Sequence, residues 1–72
     1  MIRQWLHNWK IQRHRRKVFN AVKEHPEGVA ALDIVKETGY DIRRVNAILI
    51  VLTKNGLIST IYTDKGRRWR AI

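Results

Sequence analysis

The first 25 residues contain neither Gly nor Pro, and their apolar positions repeat at helical spacing. These positions form two stripes: Ile2, Trp5, Leu6 and Trp9, and then Ile11, Val18, Phe19 and Val22. At about 100° per residue, Trp9 and Ile11 lie roughly 200° apart, so the stripes face nearly opposite directions. The pattern predicts either a helix break near residues 10–12 or one long helix that contacts two different bodies. We assign residues 1–11 to a helical extension and residues 12–72 to the folded domain.

The next segment predicts a short helix between two turns. Pro26 and Gly28 mark a turn, and the two residues after it read as a short extended stretch. Residues 31–38 then read as a helix with Leu32 and Val35 facing inward. Gly39 follows at the position where a helix commonly ends in the left-handed conformation.

A third helix is predicted from Ile42 to about Asn55. Asp41 precedes it as the N-cap, because its carboxylate can accept from the free amides and meets the positive end of the helix dipole. An Asn-Gly pair ends the helix. The residues predicted to be buried lie within about 60° of Val45 on one face: Ile42, Val45, Ile48, Leu49 and Leu52.

The C-terminal residues have the pattern of a β-hairpin. Leu57–Thr63 is rich in β-branched residues, Asp64-Lys65-Gly66 is a turn signal, and residues 67–72 alternate in character. We expect Trp69 to pack into the core. The predicted order is helix, short strand, helix, tight turn, helix and hairpin, which is an α+β fold.

Positive charge is concentrated at the two ends of the chain. The sequence has 15 Lys and Arg against 6 Asp and Glu, a formal charge of +9. Residues 1–17 carry six bases and no acid, residues 18–56 carry five of each, and residues 57–72 carry four bases and one acid. A neutral body with basic ends is typical of a nucleic-acid-binding protein. Solubility alone, or contact with an anionic membrane surface, would explain the charge without nucleic acid.

This chain lacks the residues that several classes of protein require. The absence of Cys excludes disulfides and thiolate metal sites and suggests a reducing compartment, either the cytoplasm or the nucleoid or nucleus. The longest apolar run has six residues, far short of the roughly 20 that span a membrane. His7 and His14 lack acidic partners nearby, so we expect no metal. With one Ser and no visible catalytic constellation, we expect neither an enzyme nor a cofactor.

The run from Gly39 to Ile58 resembles the turn, recognition helix and first wing strand of the winged helix-turn-helix superfamily. The apolar positions 45, 48, 49 and 52 and the ending Gly56-Leu57-Ile58 carry this resemblance. It implies a three-helix core, a C-terminal β-hairpin wing and an N-terminal helical extension. It also implies double-stranded DNA as the partner, with the third helix in the major groove. Winged helices also serve as protein-binding modules, so the resemblance to this fold leaves that function open.

The resemblance assigns base contacts to the exposed side of the third helix. Arg can bind guanine and Asn can bind adenine through two hydrogen bonds. The implied base-reading residues are Arg43, Arg44, Asn46 and Ala47. The implied contacts to the DNA backbone are Arg13, Arg15, Arg16, Lys17, Lys54, Lys65, Arg67, Arg68 and Arg70. Each set has an alternative that needs no DNA. The helix residues could be ordinary exposed polar residues, and the bases of the hairpin could serve only to discourage aggregation at an edge strand.

A partial resemblance to Zα domains, which bind left-handed nucleic acid, rests on fewer residues. Asn46 and Trp69 match that pattern, whereas Ile50 stands where the family has Tyr, and residues 66–68 contain no Pro. The sequence therefore leaves three functions open. These are a DNA-binding regulator or accessory factor, a protein-binding winged helix in a larger complex, and a binder of Z-form DNA or RNA.

Two apolar surfaces are expected to require cover. Ile50 and Val51 fall on the solvent side of the third helix, and the first N-terminal stripe has no evident place in the core. We expect these residues to contact a partner, and a second copy in a homodimer is one candidate: Ile2, Trp5, Leu6, Trp9, Ile50 and Val51. Alternatives are that the N-terminal helix covers its own domain, or that it anchors the chain to a membrane or partner protein.

Overall fold

The computed structural model describes the backbone of residues 2–72 and the side chains of residues 13–72. The elements are α1 (Ile2–Lys23), α2 (Ala31–Thr38), α3 (Ile42–Lys54), β1 (Ile58–Thr63) and β2 (Gly66–Ala71). Three helices followed by a two-stranded antiparallel hairpin make an α+β fold, an arrangement consistent with a winged-helix topology. None of these helices, over the residues described, is long and apolar enough to cross a membrane.

Helix α1 is a single helix of 22 residues that continues through residues 10–12. Of the two alternatives from the apolar pattern, the long helix is therefore the one observed. Its C-terminal half contributes Val18, Ala21 and Val22 to the core, with Phe19 packed beside them. The side chains of the first stripe, with that of Ile11, lie outside the described residues.

The hydrophobic core lies where the three helices and the hairpin meet. Most of the face predicted for α3 is confirmed, although Ile42, in the first turn, is only partly buried. Trp69 is 7% exposed, which confirms its predicted place in the core. The buried hydrophobic residues are Val18, Ala21, Val22, Val29, Ile34, Val45, Ile48, Leu49, Leu52, Ile58 and Trp69.

The predicted orientation of α2 is wrong at one residue. Leu32 is 65% exposed, whereas Ile34 and Thr38 are buried and Val35 packs against the core. Ile34 and Thr38 lie one turn apart on the same face, and Leu32 is about 200° away from Ile34 around the helix. An eight-residue helix has room for only one such face, and the packing of α1 and α3 selects it.

The segment after α1 pairs with the hairpin through one antiparallel β-bridge. Val29 exchanges two backbone hydrogen bonds with Trp69, each 2.9 Å, on the side of β2 away from β1. The extended conformation predicted here is thereby confirmed. Gly28 has φ +107°, and a Cβ atom there would lie 2.9 Å from Ile61 Cδ1 and 3.3 Å from Arg68 Cβ. The close approach of this turn to the hairpin therefore requires a glycine.

The ring of His25 contacts two carboxylates, that of Glu27 in the turn after α1 and that of Glu37 on α2. Its Nε2 lies 2.7 Å from Glu37 Oε1, and its Nδ1 lies 3.4 Å from Glu27 Oε1. The hydrogen bond to Glu37 is the main cause that raises the pKa of His25 above its ordinary value of 6.5. Only the protonated ring can donate from both nitrogens, so the folded state favours the bound proton.

This raised pKa predicts that His25 stabilises the fold more in mild acid than in base. The contribution is present below about pH 6.5 and is lost as pH rises through the higher pKa of the folded state. Between pH 5.5 and 8.5, we expect it to fall by a few tenths to about 1 kcal/mol, the range of exposed ion pairs. Urea unfolding of wild type and His25→Gln at both pH values measures this. An equal difference between the two proteins at both pH values would contradict it.

Candidate nucleic-acid interface

The four residues predicted to read bases all lie on the exposed side of α3. Arg43, Arg44, Asn46 and Ala47 are exposed, while the opposite side of the helix faces the core. Ile50 continues the same exposed face and is 56% exposed. Helical periodicity thus separates a polar surface from a buried apolar one.

The start of α3 is fixed by short-range hydrogen bonds. Asp41 Oδ2 accepts from the backbone amide of Arg43 at 3.3 Å, which confirms the predicted N-cap. Gly39 has φ +74° and ends α2 in the left-handed conformation, also as predicted. Thr38 is buried, donates to the Ile34 carbonyl at 2.7 Å and accepts from the amide of Tyr40 at 3.2 Å. The two-helix turn therefore holds the first residues of α3 in a defined position.

Tyr40 brings side chains of α1 and α3 together. Lys17 Nζ lies 5.2 Å from the centroid of its ring, and Arg44 Cζ lies 5.7 Å from it. The ring of His14 meets it edge-on, with centroids 5.0 Å apart. The sequence interpretation did not identify Tyr40. The four-residue spacing to Arg44 was a visible signal, but the approach of α1 was not.

A groove of about 420 Å³ separates α3 from the hairpin. Arg67 Cζ lies 4.9 Å from the ring of Trp69, so a cation–π contact holds the guanidinium at this groove. Asn46, Ile50 and Trp69, the three positions compared with Zα domains, all line it. The complete lining is Asn46, Leu49, Ile50, Thr53, Lys54, Thr60, Arg67 and Trp69.

The bases of the hairpin do not share one surface. Side chains alternate across a strand, so Arg67 is on the face of β2 that carries Trp69, whereas Arg68 and Arg70 are on the other. Arg68 is partly buried beside Gly28, and Arg70 lines a second groove with Lys23 and residues 26, 59, 71 and 72. Lys65 is exposed at the hairpin turn.

The bases predicted on α1 also differ in their surroundings. Arg13, Arg16 and Lys17 are exposed, and Arg15 is partly buried. Arg15 and Arg16 line a groove of about 280 Å³. The rest of its lining is Phe19 of α1, Leu52 near the end of α3, and Asn55 and Leu57 in the segment that follows α3. Lys17 belongs instead to the group around Tyr40. The structure therefore places Lys17, Lys54 and Arg67 near the exposed face of α3, and it places four other predicted backbone contacts elsewhere on the surface: Arg15, Arg16, Arg68 and Arg70.

The Lys and Arg side chains that the structure describes on this surface form no salt bridges. Among residues 14–72, no Lys or Arg side chain forms a salt bridge, and both ion pairs found there belong to His25. Helix α3 contains three bases and no acid. Four of the six acids lie between residues 24 and 37, where Glu27 and Glu37 contact His25. An anion that approaches α3 therefore meets no acidic side chain on the helix itself.

The residues predicted to contact a partner are only partly described. Ile50 is exposed, but Val51 is half-buried within the chain itself. The side chains of Ile2, Trp5, Leu6 and Trp9 lie outside the described residues. The His7–His14 pair considered as a metal site has one member outside as well, and no group of three metal-ligating side chains occurs in the described part.

Comparison of the chain with protein-family models, with curated proteins and with solved structures finds no match.

Proposed function

We propose that this chain is a winged helix-turn-helix domain that binds double-stranded DNA without chemistry, as a small regulator or accessory factor. In this proposal α3 is the recognition helix and the β1–β2 hairpin is the wing. The observation that carries it is the exposed face of α3, which presents Arg43, Arg44 and Asn46 in its first half and Lys54 at its end, with no acid within the helix.

The proposed roles follow from the chemistry of each side chain. Arg43, Arg44 and Asn46 present the donors and acceptors that read guanine and adenine in the major groove. The nine bases assigned above to the DNA backbone contact phosphates, which carry most of the affinity but no sequence information. Arg67 supports the wing role because its stack on Trp69 keeps its charge beside α3.

Replacing Arg43 and Arg44 with Ala tests the recognition helix. Both side chains are exposed, so we expect the double variant to fold normally and to bind a B-form duplex at least about 30-fold more weakly. The estimate takes about 1–3 kcal/mol for each contact. Fluorescence-anisotropy titration of a labelled duplex at low salt measures the affinity.

The double variant Lys23→Ala, Lys36→Ala is the matched control. It removes the same formal charge from exposed positions that have no proposed DNA contact. We expect its affinity to fall by less than about fivefold, through the general field alone. Equal losses in the two double variants would mean that α3 has no special role and would contradict the proposal.

A protein-binding role is the second candidate, and exposed Ile50 supports it. A large aliphatic side chain in the middle of a polar helix face suits an apolar partner surface. On a DNA-binding surface, the same side chain can contact a thymine methyl group. The protein-binding role allows little change in duplex binding on loss of Arg43 and Arg44, so the same titration distinguishes the two.

A further inference from the structure

We propose that Lys17 and Arg44, held together on the ring of Tyr40, form a binding site for one phosphodiester group of the DNA backbone. This inference rests on the proposed function and changes it at one residue: Arg44 contacts a backbone phosphate rather than a base, at a site where α1 and α3 bind the same strand. Tyr40 acts as a positioning residue, because its ring holds the two cations rather than binding the phosphate itself.

The geometry brings two cations to one ring from distant parts of the sequence. Lys17 Nζ and Arg44 Cζ are 5.2 and 5.7 Å from the ring centroid, so they are at most about 11 Å apart. Tyr40 is half-buried, and its amide is held by Thr38. Its ring packs against the core and meets His14 edge-on, which restricts its motion, whereas Lys17 and Arg44 are exposed and accessible to a ligand.

The electrostatics favour an anion at this point. Neither Lys17 nor Arg44 has a carboxylate within 4 Å, so neither cation is paired with an acid in a salt bridge. The face of an aromatic ring attracts a cation but leaves its full positive charge. A phosphodiester has two non-bridging oxygens that share one negative charge, so it can accept a hydrogen bond from each of these exposed side chains when they turn toward it, and it would relieve their repulsion.

The position of the site explains why a backbone phosphate fits better than an isolated anion. Arg44 lies next to the proposed base-reading residues, and Lys17 lies one helix away. A strand that passes along α3 would therefore meet Lys17 as it leaves the groove. Contacts of this kind fix the register of a protein on the duplex.

A double-mutant cycle in duplex binding tests the site. We expect Tyr40→Leu to weaken binding about 5–10-fold and to lower the log–log salt slope by about one phosphate. Tyr40→Phe keeps the ring and should retain wild-type affinity. In an Arg44→Met background, adding Tyr40→Leu should weaken duplex binding by less than about a further twofold. In an Arg43→Met background it should keep its full effect, because Arg43 is equally exposed but makes no contact with the ring.

A second cycle covers the case in which Tyr40→Leu does not fold, as judged by circular dichroism. Lys17→Met and Arg44→Met both replace exposed side chains, and their combined loss should be smaller than the product of the separate losses. Additive losses would overturn the shared site. Unchanged affinity and slope in Tyr40→Leu, alongside steep salt dependence in wild type, would overturn the inference but not the proposed function. A wild-type chain that fails to bind any duplex overturns both.

Discussion

Raising the salt concentration from about 50 to 200 mM should weaken binding of the wild-type chain to a random-sequence B-form duplex by about 10³–10⁵-fold. This is the loss expected when about six to ten phosphates are contacted, because each contact releases condensed counterions. Nine bases were assigned to the DNA backbone, and of these only Arg15 and Arg68 are partly buried. Six or more contacts therefore require the duplex to reach bases beyond the three that lie near α3. Anisotropy titrations at four salt concentrations give the slope.

The slope distinguishes the candidate functions. The Lys23→Ala, Lys36→Ala variant should keep the wild-type slope, since neither residue has a proposed phosphate contact. A slope near zero, or no binding at the lowest salt, would contradict a DNA-binding role. The exposed Ile50 and the N-terminal residues would then become the surfaces to test for a protein partner.

Trp69→Ala should have the largest effect on stability. The side chain is 7% exposed and packs where the helices meet the hairpin, and its backbone exchanges hydrogen bonds with Val29. Removing a buried Trp costs about 3–5 kcal/mol, while a chain of this length has a total stability of about 4–11 kcal/mol. We expect the melting temperature to fall by more than about 10 °C, or the fold to be lost at 25 °C. Thermal unfolding followed by far-UV circular dichroism measures this.

Tyr62 on the neighbouring strand provides the control. It is 79% exposed, so Tyr62→Ala removes an aromatic ring from the same hairpin without a cavity. Its effect should stay within about 0.5 kcal/mol, as for ordinary surface substitutions. Trp69→Phe fills most of the space and should retain more stability than Trp69→Ala. Equal melting temperatures for Trp69→Ala and wild type would show that Trp69 is not a core residue in solution.

The part of the fold that depends on neighbouring residues was predictable from the sequence. The bounds of α2 match the prediction, and α3 ends one residue before the predicted end. The cap at Asp41 and the left-handed Gly39 also match. Such features depend on backbone hydrogen bonds and dihedral angles within a few residues, so local sequence is sufficient. The exposed face of α3 follows from helical period in the same way.

The parts that failed or were missed depend on contacts between distant residues. Periodicity alone left the inward face of an eight-residue helix open, and the packing of α1 and α3 exposed Leu32 rather than burying it. Strand alternation separated Arg67 from Arg68 and Arg70, but only the packed hairpin directs Arg67 toward α3.

The sequence by itself determined the element order, the caps, the buried face of α3 and the excess of positive charge. Only the tertiary structure decided which of those charges share a surface. Lys17 and Arg44 are 27 positions apart, and both contact the ring of Tyr40 because α1 packs across α3. Electrostatic interaction depends on distance in space rather than on separation along the chain, so the candidate site could not be assembled before the helices were packed.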